Sequence, residues 1–119
     1  MAVQLMVNTN VTPTVSVNAQ TGTSYTFALS DGNNAFVTIS NASANTATIP
    51  PNSSVAYPVG TVLNFAQTGA GQTTITQGSG VTITSNGATA TAPKTRVQYS
   101  AATAIQTSAN NWLVIGDIA

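Results

Sequence analysis

No stretch of this chain sustains a helical period. Apolar residues instead alternate with polar ones in short runs, and each run stops at Gly, Pro or Asn. A period of two is the mark of a strand, whose side chains point to opposite faces in turn. Val11 to Val17 reads this way, with Pro13 marking an edge or an irregularity. So do Tyr25 to Leu29, Ala35 to Ile39, and Thr46 to Ile49, which ends at Pro50-Pro51-Asn52. Further along lie Val62 to Ala66, Gln72 to Thr76, Val81 to Thr84, Arg96 to Thr107 around Tyr99, and Trp112 to Ile115. The segments Gly69-Ala70-Gly71, Gly78-Ser79-Gly80 and Asn86-Gly87 read as hairpin turns, because Gly and Asn tolerate the positive φ such turns need. The expectation is an all-β fold: a compact antiparallel sandwich or small barrel of about ten short strands, with an extended N-terminal arm as a further possibility.

The length of 119 residues fits one domain. Its first 20 residues lack both Gly and charge and carry Asn8, Asn10 and Asn18 between short apolar runs. A boundary falls near Asn18 to Gly22. Residues 1–20 are either an arm that pairs with a neighbour or further edge strands of the same sheet. Residues 21–119 form the β domain. The start, Met1 to Val7, has no basic residue and no long apolar run, so no signal peptide or membrane helix is expected there.

Charge narrows the chemistry. Only Asp31, Lys94, Arg96 and Asp117 carry charged side chains, and His and Cys are absent. An average soluble domain is about 25% charged; this chain is 3% charged. Nucleic acid and anionic membranes need clustered Lys and Arg, so neither is an expected partner. No cofactor or metal is expected. A carboxylate pair for glycoside hydrolysis would have to be Asp31 and Asp117, yet Asp31 sits in a Ser-Asp-Gly-Asn turn and Asp117 near the end of the chain. No serine has a histidine to activate it. Gly69-Ala70-Gly71 lacks the Gly-Lys-Ser/Thr ending of a phosphate loop. The chain reads as a structural or adhesive part and not as an enzyme.

Thr-x-Thr steps recur at Thr46/Thr48, Thr74/Thr76, Thr82/Thr84 and Thr89/Thr91. A flat ladder of them would suit ice or sugar, but a solenoid requires a fixed period, and the intervals are uneven. The steps are therefore read as solvent faces of antiparallel strands. Phe27, Leu29, Leu63, Phe65, Ile83, Tyr99, Trp112 and Val114 recur at alternating strand positions and are expected in the core or at a subunit seam. Trp112, the single Trp, opens an apolar run and reads as packing before it reads as a sugar platform.

Taken in order, these landmarks resemble a known family. They are Tyr25-Thr-Phe-Ala-Leu-Ser-Asp31, Asn41-Ala-Ser-Ala-Asn-Thr-Ala-Thr-Ile-Pro50, Val59-Gly-Thr61, Gly69-Ala-Gly71, Gly80-Val-Thr-Ile83, Tyr99-Ser-Ala-Ala-Thr103 and Trp112-Leu-Val-Ile-Gly-Asp117. The series is similar to a small β domain of tailed-bacteriophage virions, found at tail-fibre ends and as stand-alone head proteins. The resemblance covers roughly residues 23 to 119. It implies a virion structural protein without catalytic residues. With no fibre shaft before the domain, the expected form is a decoration (cement) protein on the capsid surface, a homotrimer whose partner is the major capsid protein. Val3, Leu5, Val7, Val11, Val15 and Val17 are then the expected capsid-contact positions of the arm. The alternative is a tail-fibre or receptor-binding tip that recognises host glycans through Trp112, a Tyr or the Asn/Thr loops.

Overall fold

The computed structural model describes residues 14–119. Nine strands are present among them: β1 (Ser16–Gln20), β2 (Ser24–Thr26), β3 (Ala35–Ile39), β4 (Asn45–Ile49), β5 (Val62–Gln67), β6 (Thr73–Gln77), β7 (Thr82–Ser85), β8 (Ala101–Ser108) and β9 (Asn111–Gly116). One short 3-10 helix, Leu29–Gly32, lies between β2 and β3. Two sheets form. The larger has the order β1-β3-β5-β8-β9-β7, the smaller β2-β4-β6.

The strand-rich reading holds; the antiparallel pairing does not. β1 pairs with β3, β3 with β5, β2 with β4, β4 with β6 and β7 with β9, all in parallel. Only β5–β8 and β8–β9 are antiparallel. The chain therefore winds in coils. Each coil places one strand in the large sheet and the next in the small one: β1 then β2, β3 then β4, β5 then β6. Ser16 lies beside Ala35, and Val37 beside Phe65.

The corners explain the winding. Gly69-Ala70-Gly71 does not reverse β5 onto β6; it carries the chain from one sheet to the other. It stacks on the corner of the preceding coil: Thr68 N donates to Ile39 O at 2.8 Å, and Gly71 N to Asn41 O at 2.7 Å. That corner sits in turn on the first. Ser40 N donates to Gln20 O at 2.9 Å, and the Asn41 side chain donates to Thr21 O at 2.8 Å. The Gly78 to Gly80 turn likewise changes sheets, and Asn86-Gly87 leads into a long connection. The single hairpin among the described strands is β8–β9, which turns through Asn110 at φ 62.

The core lies between the sheets. In β3 the residues alternate, with Ala35, Val37 and Ile39 buried. In β4 Ala47 and Ile49 are buried. Leu63 and Phe65 of β5, Ile75 of β6, Ile83 of β7, Ala104 of β8, and Trp112 and Val114 of β9 fill the rest. Phe27 packs against Phe65 with ring centroids 5.7 Å apart, and Tyr57 meets Trp112 edge-on at 5.3 Å. Six expected core positions are thus inside: Phe27, Leu63, Phe65, Ile83, Trp112 and Val114.

Two are not, and the backbone gives the reason. Leu29 is 55% exposed. The alternation of Tyr25 and Phe27 ends before it, because the chain turns into the 3-10 helix and brings Asp31 inward instead. Tyr99 is 74% exposed. It sits at φ 71 in a turn closed by Ser100 N donating to Val97 O, and β8 begins only at Ala101.

Of the expected arm, Val3, Leu5, Val7 and Val11 lie outside the described residues. Val15 and Val17 are exposed, and Val17 belongs to β1, an edge strand of the large sheet.

Candidate interaction surfaces

Of the four charged residues Asp31 is buried, Arg96 and Asp117 pair at the surface and Lys94 is exposed, and none lies in a strand. Asp31 is buried. Its carboxylate accepts from Asn18 Nδ2 at 3.0 Å, from the Ala28 amide at 2.8 Å and from the Tyr25 hydroxyl. Three donors offset the desolvation of a buried anion. One side chain thus ties β1, β2 and the 3-10 helix together. Asn18 also donates to the Tyr25 hydroxyl at 2.8 Å.

Asp117 is held elsewhere. Arg96 Nε donates to its Oδ1 at 2.6 Å and Nη2 to its Oδ2 at 3.1 Å. Ser100 Oγ donates to Oδ2 at 2.6 Å. The Arg96 hydrogen bonds, then the Ser100 one, hold the Asp117 carboxyl below its ordinary range. The two carboxylates sit in separate networks, so the residues do not assemble the paired-carboxylate site that glycoside hydrolysis needs. Among the described residues no group of three or more His, Cys, Asp or Glu side chains converges on a metal position. Lys94 is exposed and has no ion-pair partner among the described residues.

Burial pushes the Tyr25 hydroxyl up to about 12, with its hydrogen bond to Asp31 acting in the same direction. Burial raises Tyr57 as well, followed by the Asp31 charge. The unfolded chain therefore loses tyrosine protons near pH ~10, while the folded chain keeps them. This stabilisation is complete below that pH and is lost as pH rises toward about 12. Denaturant melts should show stability falling across this alkaline window, and Tyr25→Phe should shrink the fall. An unchanged slope in Tyr25→Phe would show that its hydroxyl is not held as described.

Trp112 is buried against the Tyr57 ring, beside Ile83 of the neighbouring β7, and its Nε1 has no hydrogen-bond partner. It offers no face to a sugar. The exposed aromatic is Tyr99. The backbone on either side of Arg96 and Lys94 is anchored. Ile75 N donates to Pro93 O, Thr95 N to Thr73 O, and Arg96 N to Asp117 O. Trypsin must draw its substrate out as an extended strand, so native protein should resist cleavage after Lys94 and Arg96 and denatured protein should not. Rapid cleavage of native protein, read by mass spectrometry, would show that these bonds open readily.

The Thr-x-Thr steps divide. Thr46 and Thr48 lie directly beside Thr74 and Thr76, with Ser24 and Thr26 on the other side. Thr48 and Thr76 hydroxyls are 2.6 Å apart. The first interval was thus a coil repeat, although the uneven later intervals argued against any. Thr82 and Thr84 belong to the other sheet, and Thr89 and Thr91 to a connection.

Further apolar residues lie on the outer face of the six-stranded sheet. Phe36, Val62, Ile105, Leu113 and Ile115 alternate with buried residues on their strands, and Val17 lies beside Phe36 on the edge strand, interspersed with Thr38, Asn64, Thr103 and Thr107. Val17 is 63% exposed, Ile115 47% and Val62 37%. A depression of about 300 Å³ opens on this face between Phe36 and Ile115, lined also by Asn64, Ala101, Ala102, Thr103 and Gly116. The signal was legible: the strands through Phe36, Ile105 and Leu113 are apolar on both faces.

Comparison of the chain with protein-family models, with curated proteins and with solved structures gave no match.

Proposed function

We propose that this protein is a structural component of a tailed-phage virion. It binds the outside of the capsid lattice as a homotrimer and contacts the major capsid protein without ionic bonds. The observation that carries the reading is the charge-free construction: all nine strands lack charged residues, and the outer face of the large sheet sets exposed Val17, Val62 and Ile115 among neutral polar side chains. Such a part works by contact area repeated over a shell. The resemblance of the motif order to phage virion domains supports the virion setting.

The glycan-binding alternative rests on Tyr99, whose ring stands in solvent, and on the Asn/Thr loops; the buried Trp112 does not support it. Electron micrographs of virions labelled with an antibody to this chain separate the two. Label over the whole head supports decoration, and label confined to the tail supports adhesion.

Contacts without charge are screened little by salt. Raising NaCl to high concentration should leave occupancy of heads nearly unchanged, measured by pelleting virions and quantifying the bound chain. Release of most copies by salt alone would place the dock at Lys94 and Arg96.

A further inference from the structure

We infer that Asn86 is a site of spontaneous covalent modification, where the folded chain converts a neutral side-chain amide into a carboxylate. Asn86-Gly87 is the only Asn-Gly pair in the sequence. It turns no hairpin; it opens the connection that follows β7, in which Asn86 and residues 88–91 are exposed. Hydrogen bonds here join Ser85 to Gly87 and to Ala90 and leave the Asn86 side chain out. Every other described asparagine except Asn33 has its side chain in a hydrogen bond within the described residues: Asn41 donates to Thr21 O, for example, and Asn64 accepts from Thr103. Asn33 is followed by Asn34, not by glycine. The fold thus holds its asparagine amides in place and leaves out the one that precedes a glycine.

Gly87 makes its neighbour reactive. Without a Cβ, its backbone reaches conformations closed to other residues, and its nitrogen can approach the Asn86 side-chain carbon. That nitrogen lies outside any strand ladder, and its N–H donates to Ser85 Oγ at 3.2 Å. The reaction needs only water. The Gly87 nitrogen gives up its proton and attacks Cγ of Asn86. The N–Cγ bond closes a five-membered succinimide, and the side-chain nitrogen leaves, protonated, as ammonia. Water then opens the ring at either carbonyl. Cleavage of the N–Cγ bond gives aspartate. Cleavage of the bond between that nitrogen and the main-chain carbonyl gives isoaspartate, whose backbone runs through the former side chain.

Asp31-Gly32 could close the same ring but is restrained. The Asp31 carboxylate is held by Asn18, Tyr25 and the Ala28 amide, and Gly32 lies in the 3-10 helix. Conversion of Asn86 matters because the chain has so little charge. Its formal net charge is zero, and one new carboxylate makes it negative. The new charge stands on the connection that carries Lys94, which is exposed and has no ion-pair partner among the described residues. Isoaspartate also adds one carbon to the backbone of this connection, ahead of the Pro93 and Thr95 hydrogen bonds that fasten it to β6.

Ageing of the purified, folded full chain at mildly alkaline pH tests it, read by intact mass and isoelectric focusing. The wild type should gain about one dalton, ammonia lost and water added, and should develop a more acidic band. Tandem mass spectrometry should place the change at residue 86, mostly as isoaspartate. A synthetic peptide of residues 83–90 sets the rate without the fold, and the folded chain should convert within about tenfold of it. Asn86→Gln, whose longer side chain closes a six-membered ring far less readily, should keep its mass and the wild-type circular-dichroism spectrum. A folded wild type that keeps its mass while the peptide converts overturns the inference, as does conversion confined to another asparagine. An equal mass gain in Asn86→Gln also overturns it. The comparison of wild type with peptide stands even if that variant fails to fold.

Discussion

Replacing Gly71 with alanine will destabilise the protein by about 3 kcal/mol or more, because the coils cannot stack at their corner with a Cβ in place. A Cβ on Gly71 would stand 1.9 Å from Ser43 O and 2.7 Å from Asn41 O. Both are backbone atoms of the coil beneath, so no side chain can swing aside. Relief would require separating the two corners, which breaks the Gly71 N to Asn41 O hydrogen bond. It would also disturb the buried Asn45 side chain, which donates to Gly71 O at 3.3 Å. Gly22→Ala is the control. Its nearest contact would be an ordinary 3.7 Å, and it should change stability by less than about 1 kcal/mol. Chemical denaturation of both variants reads the difference. If Gly71→Ala unfolds at the same midpoint as Gly22→Ala, the corners do not stack as described.

Phe65→Ala should cost about 3 to 5 kcal/mol. Phe65 is fully buried in β5, at the centre of the large sheet. Its neighbours across the sheet are Val37 and Ala102, and the Phe27 ring packs on it. β3 and β8 are held on both sides by ladder hydrogen bonds, so they cannot close over the space a lost ring leaves. The cavity term therefore adds to the lost transfer energy. A cost under about 1 kcal/mol would mean that β5 does not present this residue inward. Leu29→Ala serves as the contrast: Leu29 is largely in solvent, and its truncation should stay within about 0.5 kcal/mol.

The sequence by itself determined the strands and most of the core. Period-two alternation placed Phe27, Leu63, Phe65, Ile83, Trp112 and Val114 inside, because burial of one strand face is a local pattern written in successive residues. The near-absence of charge is likewise written in the sequence alone, and it leaves all nine strands without a charged side chain.

The tertiary structure alone decided which strand meets which. Alternation is the same in parallel and antiparallel strands. A glycine turn records that the chain bends, not what it then lies beside. Gly69-Ala70-Gly71 has the composition of a hairpin, yet its glycines are there because backbone from 28 residues earlier passes within contact distance. The same long-range register joins Thr46 to Thr74 and Thr48 to Thr76. Leu29 and Tyr99 lie outside the core for a related reason. Each fits an alternating pattern in sequence, but at Leu29 the backbone has left the strand and turns Asp31 inward, and at Tyr99 it is still in a left-handed turn before β8 begins. Where Asp31 went was equally invisible, since its partners Asn18, Tyr25 and Ala28 gather around it only after the first coil has closed.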